Sequence, residues 1–316
     1  MPPLPRLRMN QGDRSEGRIY FAPHFVAQRL GFFEQAGVSV DFVWAESGDH
    51  LAKSGQIPAV LNREADLTIG GPMVTMRMRS EGTADLVCFS AAVQANPWYL
   101  ATRPGRAPFN WAALAGCSVL DVSRITTATI SIGWILCKKG LADRVRLIDG
   151  SGDESADFAR VAAGEVDYGL HSLHGLAPRI CDGSLALASS LAPETGGVPW
   201  SAYIARRDAF LAEKSTYAAF ARGIRSSLSW IASATPASIA TLVADDYPDY
   251  PLDALNFGIE RYKSEHIWPA DTTIPRDDFM RFQTMLRDSG WFSTAVAYED
   301  QVIADLADWS SDQQAL

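Results

Sequence analysis

The sequence predicts a two-lobed α/β fold in which each lobe is a mostly parallel sheet flanked by helices. Apolar strand-like runs alternate with helix-like segments along much of the chain, as in proteins built on parallel sheets. The alternation begins again after residues 103–108, a loop rich in Pro and Gly. The turn Glu64-Ala65-Asp66 also has a counterpart in Glu165-Val166-Asp167, each after a helix and before a short strand. Together these features predict two similar lobes in one chain.

Each element of the first lobe follows from the period of its apolar residues. Apolar residues that recur every second position predict strands, and a spacing of three or four predicts helices. The strands are expected at residues 17–21, 38–44, 65–69 and 86–93. The helices are expected at residues 25–33, 50–63 and 73–80.

The second lobe repeats this pattern, and a helical region follows it. Strands are expected at residues 117–122, 145–149, 166–170 and 185–189, and helices at residues 127–139 and 155–163. Beyond residues 201–205 the pattern becomes helical, with helices expected at residues 210–232, 236–245, 252–263 and 276–289. We therefore assign residues 15–95 and 204–316 to lobe 1 and residues 96–203 to lobe 2, with a ligand cleft between the lobes.

Composition restricts the partners of the protein. The chain has 316 residues, of which 47% are hydrophobic, and this is enough for one or two domains with a large core. Its net charge of -9 argues against a nucleic acid or an anionic membrane surface as the main partner. The sequence contains no apolar run long enough for a membrane-spanning helix, and its start lacks the features of a secretory signal. We expect a cytoplasmic protein as the chain is written, or a periplasmic one if a signal has been trimmed.

The cysteines are widely spaced and form no metal-binding or redox motif. They are Cys88, Cys117, Cys137 and Cys181. We predict that they are buried free thiols that act as small hydrophobic residues, which favours a reducing compartment.

One stretch of sequence carries a family resemblance. Residues 27–40 read AQRLGFFEQAGVSV, and this resembles a motif of the ABC-type sulfonate, nitrate and taurine solute-binding proteins and of the related thiamine-pyrimidine precursor synthases. Weaker matches follow in the family's order, at residues 64–71, 114–119 and 164–167. The resemblance implies a periplasmic-binding-protein type II fold that holds a small molecule between two lobes and closes at hinges near residues 93–96 and 200–203.

The family also contains enzymes, and this chain departs from them at two points. The synthase branch carries a cysteine-rich run, whereas the four cysteines here lie far apart. The desulfinase branch has a nucleophilic Cys just after its first strand, where this chain is expected to read Phe21-Ala22-Pro23-His24.

Ligands of parallel α/β lobes meet the loops at the carboxyl ends of strands, and this rule selects five candidate segments. They are residues 21–24, 46–48, 70–73, 121–127 and 171–174. The candidate ligand-binding residues in them are Phe21, Pro23, His24, Glu46, Gly70, Gly71, Asp121, Ser123, Arg124, Thr126, Thr127 and His171, joined by Trp200 at a predicted crossing between the lobes.

The fourth segment is the best candidate for an anion site. Ser123, Thr126 and Thr127 lie at a predicted helix start, where free backbone N–H groups and the helix dipole favour negative charge. Arg124 adds a guanidinium group that suits a carboxylate, sulfonate or phosphate. The alternative is that these hydroxyls only cap the helix and that Arg124 is solvated.

The histidines and tryptophans of the other segments either contact a ligand or have only a structural role, and the sequence leaves both roles open. His24 either caps a helix or bonds to ligand, and His171 and His174 would share one face if their segment were a helix. We expect no metal there, because no third metal ligand is evident. Trp98, Trp200 and Tyr203 would suit an aromatic ligand if they line the cleft, and the alternative is core packing.

Two functions therefore remain open. The first is a solute-binding protein for a small anionic organic molecule, which would work with an ABC transporter permease. The second is a cytoplasmic enzyme on the same fold that acts on a small aromatic or heterocyclic acid. It would be a lyase or decarboxylase, or an enzyme similar to the desulfinases or to the pyrimidine-precursor synthases. In the enzyme, His24 or His171 would be the general base and Arg124 would hold the substrate. Neither function requires a cofactor.

Overall fold

The computed structural model describes residues 3–11, 18–44, 56–106, 108–304 and 306–309, and the strands of this part form two sheets. The first sheet contains β1 (Arg6–Asn10), β2 (Ser39–Val43), β3 (Leu67–Gly70), β4 (Leu86–Ala95) and β10 (Gly197–Arg206). The second sheet contains β5 (Trp98–Thr102), β6 (Ser118–Asp121), β7 (Arg146–Asp149), β8 (Tyr168–Ser172) and β9 (Ala186–Ser190). The predicted α/β class is confirmed.

The two sheets share one topology. Their strand orders are β2-β1-β3-β10-β4 and β7-β6-β8-β5-β9. In each sheet one strand, β10 or β5, pairs antiparallel to both neighbours, and the other four run in a common direction. Each sheet is therefore mostly parallel, as the sequence predicts, and the carboxyl ends of its four aligned strands lie at one edge.

The chain passes from the first sheet to the second between β4 and β5, at Asn96 and Pro97. It returns between β9 and β10, through residues 191–196. All of β10 pairs within the first sheet, including residues 197–203, which the sequence assigned to lobe 2. The limits of the two lobes themselves remain a prediction.

Helices cover both sheets and form the C-terminal region. They are α1 (Ala22–Arg29), α2 (Phe32–Ala36), α3 (Gln56–Leu61), α4 (Pro72–Glu81), α5 (Thr126–Lys138), α6 (Glu154–Ala163), α7 (Leu173–Cys181), α8 (Ala192–Thr195), α9 (Arg207–Ala212), α10 (Lys214–Ser233), α11 (Pro236–Val243), α12 (Leu252–Ser264), α13 (Arg276–Asp288) and α14 (Tyr298–Gln301).

The strand prediction at residues 17–21 is wrong. Residues Ile19–Phe21 form a short 3-10 helix whose side chains are all buried, so no alternating pattern exists there. The first strand is instead β1, which pairs with β2 and β3. Its apolar residues, Leu7 and Met9, alternate with Arg6, Arg8 and Asn10, but two apolar residues in five positions give only a weak strand signal.

The sequence also leaves β5 and α7 of the second lobe unassigned. Strand β5 is buried at all five positions, so it shows no alternation of apolar and polar residues. Helix α7 contains Gly175 and an internal Pro178, residues that normally disfavour a helix interior.

The cysteine prediction is correct for one residue and wrong for two. All four thiols are free, and Cys88 is buried. Cys137 and Cys181 are exposed, because both lie near the solvent-facing ends of helices. Burial raises the pKa of the Cys88 thiol to about 12.

The repeated Glu-x-Asp turns have the same structural role in both lobes. Asp66 accepts the backbone N–H of Arg8 in β1 at 2.8 Å, and Asp167 accepts the backbone N–H of Ser118 in β6 at 2.9 Å. Each aspartate also receives a guanidinium, from Arg8 at 2.9 Å and from Arg106 at 2.8 Å. Since β1 and β6 occupy equivalent positions in their sheets, the same strand-to-strand connection is used twice within one molecule.

We predict that replacing Asp167 with Asn destabilises the protein at neutral pH and not in acid. Burial raises the pKa of this carboxyl, but hydrogen bonds from Ser118 and Arg106 outweigh burial and lower its pKa overall. A lowered pKa stabilises the fold above the ordinary carboxyl pKa, and that stability is lost as the pH falls through the folded-state pKa. Urea unfolding at neutral pH should show a loss of about 1–2 kcal/mol that shrinks towards pH ~3. An equal loss at both pH values contradicts this, and Asp143→Asn, at an exposed position, is the control.

Candidate functional site

Helices α4 and α7 begin directly at the carboxyl ends of β3 and β8, and α5 begins after the turn that follows β6. Their N-cap residues are Gly71, Ile125 and Ser172, and within the described part of the chain none of these makes a side-chain capping bond. At α7 the hydroxyl of Tyr262 accepts the first N–H, from Leu173, at 2.9 Å. The starts of α4 and α5 therefore carry the positive end of each helix dipole without a side-chain cap. Because Pro72 has no N–H, the backbone donors of α4 begin at Met73.

The starts of α4 and α5 meet across the two sheets. The hydroxyl of Thr127 in α5 donates to the sulfur of Met73 in α4 at 2.6 Å. Trp291, which follows α13, donates from its indole to the carbonyl of Met73 at 3.3 Å. Further along α5, the indole of Trp134 donates to Asp288 at 3.3 Å. These contacts form a seam between the helices of the two sheets.

Asp121 organises the turn between β6 and α5. One of its carboxylate oxygens accepts the hydroxyl of Ser123 at 2.9 Å and the backbone N–H of Arg124 at 3.0 Å, and the other accepts the hydroxyl of Thr129. Burial raises the pKa of Asp121, although these hydrogen bonds oppose the rise. Arg124 has a φ of 55°, a left-handed conformation that is costly for a residue with a side chain. The bonds to Asp121 hold the turn in that conformation.

Arg124 lies in a cavity beside the seam, which we call the mouth cavity. Its volume is about 360 Å³, and it is lined by Asp121, Arg124, Thr126, Thr129, Ile130, Asp149, Ser289, Gly290 and Trp291. Arg124 is exposed, and no ion pair joins it to a carboxylate of the described residues. Because Asp121 and Asp149 share the cavity, Arg124 provides a local positive charge and not a broad positive field.

Aromatic residues lie where the chain passes between the sheets. Trp98 at the start of β5 has its ring 5.5 Å from His171 and 6.4 Å from Trp200. A β-carbon placed on Gly71 would stand 3.6 Å from the backbone carbonyl oxygen of Trp200, so the backbone of β10 lies next to the start of α4. The indole N–H of Trp98 is buried and has no hydrogen-bond partner among the described residues. Buried donors of this kind usually have a protein, water or ligand partner.

His171 is tied to a carboxylate of its own lobe. Its Nε2 lies 3.3 Å from Glu154, and its ring packs 5.6 Å from that of Phe158. His171 belongs to β8 and His174 to α7, so the two do not share a helix face. His174 stacks on Tyr250 instead, at 4.8 Å.

His24 lies in an apolar group inside the first lobe. Its ring is 5.2 Å from that of Phe42 and 6.3 Å from that of Tyr203, and it is fully buried. Neither ring nitrogen has a hydrogen-bond partner in the described ranges, and the same holds for the hydroxyl of Tyr203. Burial lowers the pKa of His24 to about 3, so the imidazole is neutral at physiological pH. Because no described residue forms a hydrogen bond with its ring nitrogens, the geometry gives no support to His24 as a general base.

The remaining candidates divide between helix starts and packing. Gly70 ends β3 opposite Ala202 of β10. The carbonyl of Pro23 accepts the hydroxyl of Ser227 at 2.6 Å, and Phe21 packs edge-on to Tyr20 at 4.7 Å. Glu46 lies outside the described residues.

The structure therefore brings one subset of the candidates together. Asp121, Ser123, Arg124, Thr126 and Thr127 form the start of α5, next to Gly71 and Met73 at the start of α4. Sequence reasoning missed Trp291 and Asp149. Asp149 ends a predicted strand, so the rule that ligands bind at the carboxyl ends of strands could have selected it. Trp291 follows a surface helix, and no sequence pattern marks it as a site residue.

One protein family matches the chain over most of its length. Residues 18–237 match the family model described as NMT1/THI5 like. The chain belongs to the NMT1/THI5 like family. The family resemblance seen in the sequence is thereby confirmed.

The individual proteins that the chain resembles are distant from it in sequence. The chain is 23% identical to a Bacillus subtilis (strain 168) protein named "Putative binding protein YtlA" over 295 residues, which cover 92% of this chain and 86% of that protein. The alkanesulfonate-binding protein SsuA from Xanthomonas axonopodis pv. citri, solved with bound MOPS, is 16% identical with a TM-score of 0.68, covering 96% of this chain and 99% of that chain. The desulfurization enzyme DSZB is 13% identical with a TM-score of 0.66, covering 96% and 98%. The structural likeness establishes the fold that the NMT1/THI5 like chain shares with both a binding protein and an enzyme.

Two features are absent from the described residues. No helix there is both long and apolar enough to cross a membrane. Nor do three or more His, Cys, Asp or Glu side chains cluster there in a way that would hold a metal ion.

Proposed function

We propose that the protein is a solute-binding protein that holds a small organic anion, a carboxylate or a sulfonate, between its two lobes and delivers it to an ABC-type permease. The anionic group binds at the facing starts of α4 and α5, beside Arg124. The backbone of Trp200 adjoins the start of α4 at Gly71.

One observation carries this proposal: the starts of α4 and α5 meet at the Met73–Thr127 contact, and among the described residues neither start has a side-chain cap. Two positive dipole ends that face each other repel unless negative charge lies between them. Helix starts of this kind bind anions through their free N–H groups. The similarity to a protein solved with a bound sulfonate buffer supports the same ligand class.

The test is a ligand screen on the purified full chain. Native mass spectrometry would first identify any molecule that co-purifies with the protein. Thermal-shift and calorimetric titrations would then compare matched series of alkyl sulfonates, alkyl carboxylates and the uncharged amides of the same acids. Binding of the anions with no binding of the amides is the expected result. Binding of amides alone, or of cations, contradicts the proposal.

We predict that Arg124→Ala weakens binding of anionic solutes by about tenfold, equivalent to about 1.4 kcal/mol. The effect is limited because Arg124 is exposed and shares its cavity with Asp121 and Asp149, so solvent and neighbouring carboxylates reduce its attraction for an anion. Isothermal titration of the best ligand at low and high salt would measure the loss, which should shrink as the salt concentration rises. Arg146→Ala, on the neighbouring strand but outside the mouth cavity, is the matched control. Unchanged affinity for Arg124→Ala at low salt contradicts a ligand role for this side chain.

A further inference from the structure

A second cavity continues the mouth cavity along α5. It has a volume of about 620 Å³ and shares Thr129, Ile130 and Ser289 with the mouth cavity. Further along α5 it is lined by Gly133, Trp134 and Cys137. These positions recur three or four apart, so they form one face of the helix. The two cavities thus make a continuous groove, which we call the α5 groove.

The α5 groove changes in character along its length. At its first end, the mouth cavity carries the charged and hydroxyl groups of Arg124, Asp149 and Thr126. Beyond Ile130 the walls are mainly apolar and include Trp134 and Leu147, and 42% of Leu147 is exposed. Two charged residues, Lys138 and Asp288, also line this part of the groove, and both contact Trp134. From Thr126 to Lys138 a helix rises by roughly 18 Å. This distance suits an extended hydrocarbon chain and exceeds what a small acid needs.

The floor of the groove is open at Gly133. A β-carbon placed there would meet no other atom of the described residues within 4 Å, apart from its own helix and chain neighbours. Glycine in the middle of an exposed helix face costs about 1 kcal/mol relative to alanine, so its presence here weakens α5. The open channel over Gly133 explains why a glycine stands there, because any larger side chain would occupy the groove.

We infer that the α5 groove binds the tail of an amphipathic organic acid, whose anionic head lies at the start of α5 and whose alkyl chain runs along the helix over Gly133. This inference rests on the proposed function, because the head occupies the anion site described above. It assigns to the protein ligands with a long aliphatic chain. Trp134 and Leu147 would cover that chain with apolar surface.

The first test compares a long ligand with a short one. Decanesulfonate and ethanesulfonate would be titrated calorimetrically, below the micelle concentration, into the full-length protein, Gly133→Leu and Gly133→Ala. Leucine should fill the groove and lower decanesulfonate affinity by about tenfold or more. Ethanesulfonate affinity should stay the same in all three proteins, and alanine, which improves the helix without filling the groove, should leave both affinities nearly unchanged.

The outcomes separate the two proposals. If both sulfonates bind and Gly133→Leu affects neither, the tail site is overturned and the anion site stands. If neither binds and the other anions of the screen also fail, both proposals fall. Equal loss of both ligands in Gly133→Leu points to a distorted helix and also overturns the tail site.

The second test uses a native thiol in the groove. Cys137 lines the groove and is exposed, and Cys181 is exposed on α7 outside it. Alkylation by iodoacetamide, followed by peptide mass spectrometry, would measure both thiols in the same sample. Decanesulfonate should slow modification of Cys137 and leave Cys181 unchanged, whereas ethanesulfonate should protect neither thiol. Equal rates at Cys137 with and without decanesulfonate, at a concentration that saturates the protein, would overturn the inference.

Discussion

Replacing Ile125 with Asp should lower the affinity for an anionic solute by at least about a hundredfold, because it places a carboxylate where the ligand's own charge is proposed to lie. Ile125 is the N-cap of α5, with extended backbone angles of φ -86° and ψ 116° that suit a capping residue. An Asp there would accept the free N–H groups of the helix start and repel a second anion. Two unit charges about 4 Å apart repel by about 4 kcal/mol at an effective dielectric constant of about 20.

The matched variant is Ile125→Asn, which caps the same N–H groups without a charge. It should weaken binding less than Asp does, because it competes for the donors and does not repel the ligand. A new cap stabilises a helix by about 1 kcal/mol, which offsets part of the destabilisation caused by removing the apolar isoleucine side chain. Calorimetric titration and urea unfolding of both variants would separate these effects. Anion affinity unchanged in the Asp variant would exclude the start of α5 as the binding site.

Gly150→Ala should cost about 3 kcal/mol of folding free energy, because nothing larger than hydrogen fits at this position. A β-carbon there would lie 2.6 Å from the carbonyl oxygen of Asp121, 2.9 Å from the carboxylate of Asp157 and 3.1 Å from the carbonyl oxygen of Val122. Two of these neighbours are backbone atoms, which cannot turn away. Relief of the clash requires the end of β6 to move, and with it the Asp121 turn that positions Arg124.

Urea unfolding followed by far-UV circular dichroism would measure this loss. Gly133→Ala is the matched control, since the same change at an open helical position should stabilise the protein slightly. Ligand affinity should fall in Gly150→Ala even under conditions where the protein is fully folded, because the start of α5 is displaced. If Gly150→Ala were nearly as stable as the parent protein, the end of β6 would move aside at no cost in folding free energy, and the prediction would be wrong.

Much of the local structure was predictable because it depends on neighbouring residues. Alternation in β2 and helical spacing in α13 need only a few consecutive positions, and both were found close to their observed limits. The paired turns at Asp66 and Asp167 were recognisable because the same short motif occurs twice. Prediction failed at β1, whose alternation rests on only two apolar residues, Leu7 and Met9, and at β5, which is buried on both faces and does not alternate.

The site was predictable only in part for the same reason. The carboxyl-end rule selected residues 121–127 correctly as a helix start, because strand, turn and helix follow one another there. It said nothing about Trp291, which follows α13 and contacts Met73 from more than two hundred positions away in the chain. It also placed Arg124 in the site without revealing that Asp149 shares its cavity.

By itself, the sequence determined that this protein is an α/β chain of two similar lobes and that the start of α5 is its best anion-binding candidate, because strand periods, turn motifs and helix starts are encoded locally. The tertiary structure alone decided which helix start faces it. The contact between Thr127 and Met73, the return of β10 into the first sheet and the groove along α5 all join segments distant in the chain. Such pairings depend on how the two sheets pack, and packing is a property of the folded chain as a whole.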